Sequence, residues 1–162
     1  MKHQTVVAVL TWLTAAAALS RLQNVPPTGY PDLAIPFELN RQFGSILIEV
    51  QVNRHPAWLL VDTGSSHTVL SADILEISPL SFKRPTVAVK GSGLRGTAGW
   101  ATATIDLGTI QWANRKVLVT KDFREISKSM QQRVDGILGE DVLNEFTAVV
   151  IDFKNHRLIL RR

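Results

Sequence analysis

The stretch LLVDTGSSHTVLS, residues 59–71, passes from three apolar residues to Asp62 and then turns at once through Thr63 and Gly64. The run AWLLVD at 57–62 has consecutive apolar residues, which predicts a strand buried on both faces. A carboxylate at the end of a buried strand is costly unless a partner or hydrogen bonds offset the loss of solvation. Asp62 is therefore the first candidate for a functional residue.

The segments around this stretch have the pattern of β-strands. Apolar and polar residues alternate over 46–52 and again over 101–107, which is the period of a half-buried strand. Short strands at close spacing, glycine turns and few helical segments are typical of all-β domains. We predict an all-β fold, a small closed β-barrel with one or two short helices. The polar segment 121–134 is predicted to be a surface loop or an irregular helix.

Composition excludes several classes of function. The chain has 162 residues, 45% of them hydrophobic, with a formal net charge of +4 and no cysteine. The absence of cysteine excludes thiol catalysis, disulfides and cysteine-based zinc sites. The four histidines show no metal-binding spacing, and no basic run alternates with aromatic residues. We therefore predict no metal, no other cofactor and no nucleic-acid partner.

The N-terminus has the pattern of an export signal. Residues 1–20 combine a short basic start, an apolar run over 5–19 and small residues near 18–20, which predicts a signal peptide. Residues 21–35 contain three prolines and are predicted to be a linker or arm, which leaves 36–162 as the folded domain. We expect an exported protein, periplasmic or extracellular. The alternative is an uncleaved anchor over 5–19, which would hold the domain at a membrane, as a tethered scaffold.

Three motifs in order carry a family resemblance. The stretch from Val61 to Ser66, Val-Asp-Thr-Gly-Ser-Ser, resembles the catalytic loop of aspartic peptidases. The stretch VDGILG at 134–139 is similar to the hydrophobic-Ile-Leu-Gly element of the retropepsin-like branch, and the glycine-rich segment 91–99 lies where that branch has its flap. The resemblance covers residues from about 40 to 160. It implies an aspartic endopeptidase with a retropepsin-like fold.

The resemblance also implies roles for single residues. Asp62 would be the catalytic carboxylate, Thr63 would hydrogen-bond across a two-fold axis, and Gly64 would donate its N–H to the carboxylate. Ser65 would orient the outer carboxylate oxygen, although simple turn-capping is an alternative for Thr63 and Ser65. The flap that would cover a bound peptide is predicted to include Gly91, Ser92, Gly93, Leu94 and Gly96.

One Asp-Thr-Gly per chain has a consequence for assembly. Hydrolysis by carboxylates needs one acid and one base, so a second Asp62 must come from a second chain. The predicted partners are accordingly a peptide or protein substrate and a second copy in a homodimer. The terminal RLILRR, 157–162, fits either a strand across the dimer or an edge strand within one subunit.

An exported peptide-binding module without catalysis is the alternative function. Asp141 is predicted to cap a short helix over 142–146.

Overall fold

A computed structural model describes residues 32–74, 81–91, 94–121 and 123–162 of the chain. The described residues form mostly β-structure, and the all-β prediction is confirmed. The strands are β1 Leu33–Asn40, β2 Ser45–Val52, β3 His55–Val61, β4 Val69–Ser71, β5 Ser81–Gly91, β6 Leu94–Leu107, β7 Ile110–Thr120, β8 Gly136–Leu138, β9 Ala148–Asp152 and β10 Arg157–Arg161. The helices in this part of the chain are α1 Phe123–Met130 and α2 Glu140–Leu143.

The strands belong to one sheet that closes on itself in its middle part. Their order is β5-β6-β7-β4-β8-β3-β2-β1-β10-β9, and β6 also pairs with β2 through Val52 and Ile105. This additional pairing closes a ring of six strands. Strand β3 pairs with β8 in parallel, with Val61 opposite Leu138, and with β2 on its other side, so β3 is an inner strand of the ring and not a sheet edge.

Two apolar clusters pack on opposite faces of β2 and β3. Ile48 and Leu59 belong to the larger cluster, while Leu47 and Leu60 belong to the smaller one. Three of these side chains have no exposed surface, and Leu60 is also buried. Burial on both faces explains why the sequence over 57–61 lacks alternation. It also holds the end of β3 rigidly from two sides.

Three parts of the fold differ from the sequence-based expectation or extend it. Strand β1 begins at Leu33, so the last residues of the predicted linker 21–35 form part of the sheet. Segment 121–134 contains the regular helix α1, because Phe123 and Met130 on one side of the helix are buried. The strand RLILR is β10, which pairs with β1 on one side and β9 on the other and is not an edge.

The predicted signal peptide, residues 1–20, lies outside the described residues. Among the residues that are described, no helix is both long enough and apolar enough to cross a bilayer.

Candidate active site

Asp62 follows the last residue of β3 and begins a tight loop. Its backbone N–H donates to the Leu138 carbonyl at 3.1 Å, which extends the pairing between β3 and β8 by one residue. Its own carbonyl accepts the N–H of Ser65 at 3.2 Å, which closes the turn. The Asp62 side chain is half-buried, whereas Thr63 and Gly64 are exposed. The loop thus presents a carboxylate at the surface from a rigid strand end.

Gly64 makes the closest contact with this carboxylate. Its N–H donates to Asp62 Oδ1 at 2.8 Å, the geometry that the family resemblance implies for this glycine. A Cβ at this position would lie 3.2 Å from the same oxygen, which is a tight contact. The backbone approaches the carboxylate this closely because the residue has no side chain.

Ser65 differs from its predicted role. Its hydroxyl donates to the His67 carbonyl at 2.8 Å. Since a serine hydroxyl has a single proton, that proton is directed away from the Asp62 carboxylate within one chain. The serine therefore closes the far side of the loop, which is the turn-capping alternative. The exposed Thr63 projects at the loop surface, and its predicted bond across a two-fold axis stays a prediction.

The backbone at Gly139 and Glu140 contacts the Asp62 loop and supports it. The N–H of Glu140 donates to the Ser65 carbonyl at 2.7 Å, and the Gly139 N–H donates to Thr68 Oγ1 at 3.2 Å. A Cβ on Gly139 would lie 2.5 Å from the His67 carbonyl oxygen and 2.7 Å from the Ser65 oxygen. The Asp62 loop therefore packs directly on the backbone at Gly139, and any side chain there would push it away.

Asp141 lies inside α2, which begins at Glu140, so the prediction that it caps a helix over 142–146 is wrong. Gly139 occupies the cap position of α2, without a side-chain hydrogen bond. The Asp141 carboxylate instead accepts both the N–H and the hydroxyl of Thr68, each at 2.8 Å from Oδ1. Thr68 has no exposed surface. Asp141 thus fastens the C-terminal end of the Asp62 loop to α2.

Arg115 on β7 hydrogen-bonds to α2 and to the residue that follows its end region, Glu145. Its guanidinium donates to the Asp141 carbonyl and to the Glu145 carboxylate. The Trp112 indole N–H donates to the same carboxylate at 2.6 Å. Partial burial works to raise the pKa of Glu145, but the hydrogen bonds from Arg115 and Trp112 outweigh burial and lower that pKa. The loop, α2 and β7 are therefore linked by one polar network.

The predicted flap corresponds to the hairpin of β5 and β6. Gly91 pairs with Leu94 and Val89 with Gly96, so the two strands run antiparallel up to the tip. Ser92 and Gly93 lie outside the described residues. At the base of β6, the half-buried Trp100 packs against the smaller apolar cluster, and its ring lies 5.3 Å from the His67 ring. The hairpin base therefore contacts the Asp62 loop directly.

A cavity of about 600 Å³ opens beside Asp62. Its wall is mostly apolar and comes from the β1–β2 turn, the end of β3, helix α1 and the chain at the end of β9. The lining residues include Phe43, Ile46, Leu60, Val61, Asp62, Glu125, Ile126, Ser129, Met130, Ile151 and Phe153. Sequence reasoning did not identify Phe43, Ile151 or Phe153 as neighbours of the site. Within the described ranges, no group of three or more metal-binding side chains is present.

Comparison with known proteins identifies the family to which this chain belongs. A family model described as aspartyl protease matches residues 48–142. Because this match spans more than half of the chain, the protein belongs to the aspartyl protease family. Its fold is the retropepsin-like one: a retropepsin-like aspartic protease from Rickettsia conorii is similar with a TM-score of 0.53 and 22% identity, over 80% of this chain and 89% of that chain.

Two further solved structures are similar at lower scores. The EIAV protease, in complex with the inhibitor HBY-793, has a TM-score of 0.47 and 21% identity over 61% of this chain and 85% of its own. The retroviral protease-like domain of Ddi1 from Leishmania major has a TM-score of 0.49 and 18% identity over 72% of this chain and 87% of its own. No curated protein matches this chain with significance.

Proposed function

We propose that the protein is an aspartic endopeptidase that works as a homodimer, in which Asp62 of each chain contributes one carboxylate. The observation that carries the proposal is the Asp62 loop: a half-buried carboxylate on a rigid strand end, bonded by the Gly64 N–H at 2.8 Å and supported by Gly139. Membership of the aspartyl protease family supports the same chemistry.

A second chain supplies the second carboxylate in this proposal, because the two aspartates next to the loop, Asp135 and Asp141, have structural roles. Asp135 is followed directly by a glycine, whereas Asp62 is followed by Thr63 and then Gly64. The Asp135 carboxylate accepts the Trp58 N–H at 2.9 Å and forms an ion pair with Arg133 at 2.8 Å. Asp141 is bonded to Thr68. Asp62 is the aspartate of the chain in the Asp-Thr-Gly context, so its catalytic partner is its own copy across a two-fold axis.

Two carboxylates in contact provide the acid and the base together. At a separation of ~3 Å and an effective dielectric constant of ~20, two charges repel by about 5–6 kcal/mol. The pair therefore keeps one shared proton, as aspartic-protease carboxyl pairs do. The two titrations then belong to the pair and not to either Asp62 alone.

Hydrolysis follows from this single shared proton. The ionised Asp62 takes a proton from water, the water oxygen bonds to the peptide carbonyl carbon, and the carbonyl oxygen receives the proton of the other Asp62. The tetrahedral intermediate, which carries two hydroxyl groups, then collapses: the C–N bond breaks, a carboxyl proton moves to the departing nitrogen, and one hydroxyl group gives its proton to the other Asp62 as its oxygen re-forms the carbonyl. The pair then again holds one proton. No metal ion or organic cofactor takes part in these steps.

The β5–β6 hairpin supplies a cover for an extended peptide. Its base contacts the Asp62 loop through Trp100 and His67. A hairpin in this position can bind the peptide main chain as an added strand and exclude water from the carboxylates. We propose this role for the segment from Gly91 to Gly96.

The proposal is tested by replacing the carboxylate with its amide. Asp62→Asn keeps the size of the side chain and the acceptor for Gly64 but removes the shared proton, so we expect cleavage of a peptide library at pH 4–7 to be lost. Asp106→Asn is the matched control, because the Asp106 carboxylate bonds to the exposed Gln111 side chain at 2.6 Å, away from the site.

Three results decide the outcome. An active control and a folded, inactive Asp62→Asn protein support the endopeptidase. An Asp62→Asn protein that still cuts peptides contradicts the mechanism. A wild-type protein that binds peptides tightly but cuts none is the alternative function, the non-catalytic binding module.

A further inference from the structure

We propose that a pocket beside the Asp62 loop selects peptide substrates with an acidic side chain, whose carboxylate binds Lys116 and His67. This inference rests on the proposed endopeptidase and names a class of substrate for it. The pocket has a volume of about 660 Å³ and lies between the end of the loop, β7 and the base of β6. Its wall includes His67, Trp100, Trp112, Arg115, Lys116 and Asp141.

Strand pairing brings His67 and Lys116 together. Strand β4 pairs with β7 in parallel, with Val69 opposite Leu118, and the Leu118 N–H also donates to the Thr68 carbonyl at 3.0 Å. Continued two residues back toward the loop, this register places His67 beside Lys116. Residues two apart in a strand lie on the same face, so both belong to the face of Val69 and Leu118.

The Trp100 ring contacts both groups. Lys116 Nζ lies over this ring, 4.1 Å from its centroid, and the His67 ring lies 5.3 Å from it. A cation–π contact attracts the ammonium group to the ring and leaves its N–H groups able to donate to a ligand. Trp100 therefore holds two nitrogen-bearing side chains at one site.

The charged groups of the pocket differ in whether they have a partner. The acidic residue in the wall, Asp141, already has Arg115 at 3.9 Å from its Oδ2. Lys116 is exposed, and among the residues that the structure describes no carboxylate forms an ion pair with it. In His67, Nδ1 lies 2.8 Å from the Ser66 hydroxyl, which leaves Nε2 for a ligand.

This arrangement identifies the chemistry of the ligand. An ammonium group has donors and no acceptor, and a carboxylate is the side-chain group that matches it in both charge and hydrogen bonding. The methylene groups of a glutamate could pack on Trp100 while its carboxylate reaches Lys116. A basic side chain would be repelled, and a neutral amide would supply an acceptor without the charge.

The pocket is connected to the Asp62 cavity through the smaller apolar cluster. Trp100 packs against this cluster, and two of its members, Leu60 and Met130, line the cavity that contains Asp62. A peptide bound as an added strand under the β5–β6 hairpin would extend from Asp62 past His67. Alternate side chains of an extended peptide point to one face, so a side chain a few residues from the scissile bond would enter the pocket.

The test compares peptides that differ in a single charge. Peptides with both ends blocked carry either Glu or Gln at one position, that position is moved along the peptide, and kcat/KM is measured for each pair. We expect the Glu peptide to have a kcat/KM about tenfold higher at one position in the wild type. The blocked ends leave the side chain as the source of the carboxylate.

Variants of the pocket then change this Glu-to-Gln ratio. Lys116→Met keeps the length of the side chain and removes its charge, so the ratio should fall to about one, whereas Lys116→Arg should retain most of it. His67→Phe keeps a ring beside Trp100 without its nitrogens and should lower the ratio about threefold. The matched control is Lys154→Met, an exposed lysine between β9 and β10, which should leave the ratio unchanged.

A purely structural role of Lys116 would give a different result. Cleavage of the Glu and Gln peptides would then fall equally in Lys116→Met, and the ratio would not change. That result, or a wild type that cuts peptides without preferring Glu at any position, overturns the pocket and leaves the endopeptidase standing.

Binding of the same peptide pairs to Asp62→Asn, measured by calorimetry, separates the inference from the proposed function. If the wild type cuts no peptide, the endopeptidase is contradicted. Tighter binding of the Glu peptide that is lost in the Asp62→Asn, Lys116→Met double variant then still supports the pocket. Equal binding of both peptides, or none, overturns it.

Discussion

Asp141 provides the sharpest test of how the Asp62 loop is supported. Its Oδ1 accepts two hydrogen bonds from Thr68, both at 2.8 Å, and Thr68 is fully buried. Asp141→Ala leaves the Thr68 N–H and hydroxyl without this acceptor. A lost hydrogen bond to a charged group costs about 1.5–3 kcal/mol. Because the two bonds share both residues, we expect a combined loss of about 3 kcal/mol in the free energy of unfolding.

The measurement is urea unfolding in the Asp62→Asn background, which prevents self-digestion. All proteins are compared at one concentration, since the proposed dimerisation would contribute to the apparent stability. For a domain of this size, the expected loss corresponds to a fall in melting temperature of about 10 °C. Asp141→Asn retains an oxygen acceptor for Thr68 and should lose about 1 kcal/mol.

The control is Asp106→Ala, whose carboxylate bonds to an exposed glutamine side chain. Its unfolding free energy should stay within about 0.5 kcal/mol of the parent. If Asp141→Ala also stays within that range, the Thr68 contact does not support the loop and the reasoning is refuted.

Two further predictions concern the surroundings of the loop. Gly139→Ala would bring a Cβ to 2.5 Å from the His67 backbone; we expect loss of soluble or active protein, and a stable, fully active variant would contradict the described packing. The pKa of Glu145 is lowered because the hydrogen bonds from Arg115 and Trp112 outweigh burial. The stabilisation is therefore present above about pH 4.5 and lost as the pH falls through the lower folded-state value. Glu145→Gln should flatten the acid loss of melting temperature, and an unchanged slope would argue against this assignment.

The sequence predicted the parts of the fold that depend on local pattern. The alternation over 46–52 gave β2, the apolar run before Asp62 gave β3, and the glycine turn gave the loop. These elements were predictable because a strand's burial pattern is written in neighbouring residues. Closure of the ring through Val52 and Ile105 was not predictable, since it depends on how strands far apart in sequence pair with each other.

Two predictions that were wrong or left open, those for Asp141 and for β10, depend on contacts between residues far apart in sequence. The contact between Asp141 and Thr68 joins residues 73 positions apart, and a local capping rule could not reveal it. Helix α1 did leave a signal, because Phe123, Ile126 and Met130 follow helical spacing and would have identified the buried face. Sequence also left the role of β10 open, because pairing on both sides depends on where β1 and β9 lie.

The central claim is that one active site needs Asp62 from two chains, and mixing of subunits tests it directly. Wild-type and Asp62→Asn chains are equilibrated at constant total concentration, and the cleavage rate is followed as the wild-type fraction falls. If both carboxylates are required, the rate follows the square of that fraction and an equal mixture retains about a quarter of the activity. A linear fall, with half of the activity at equal mixing, would mean that each chain works alone and would contradict the account.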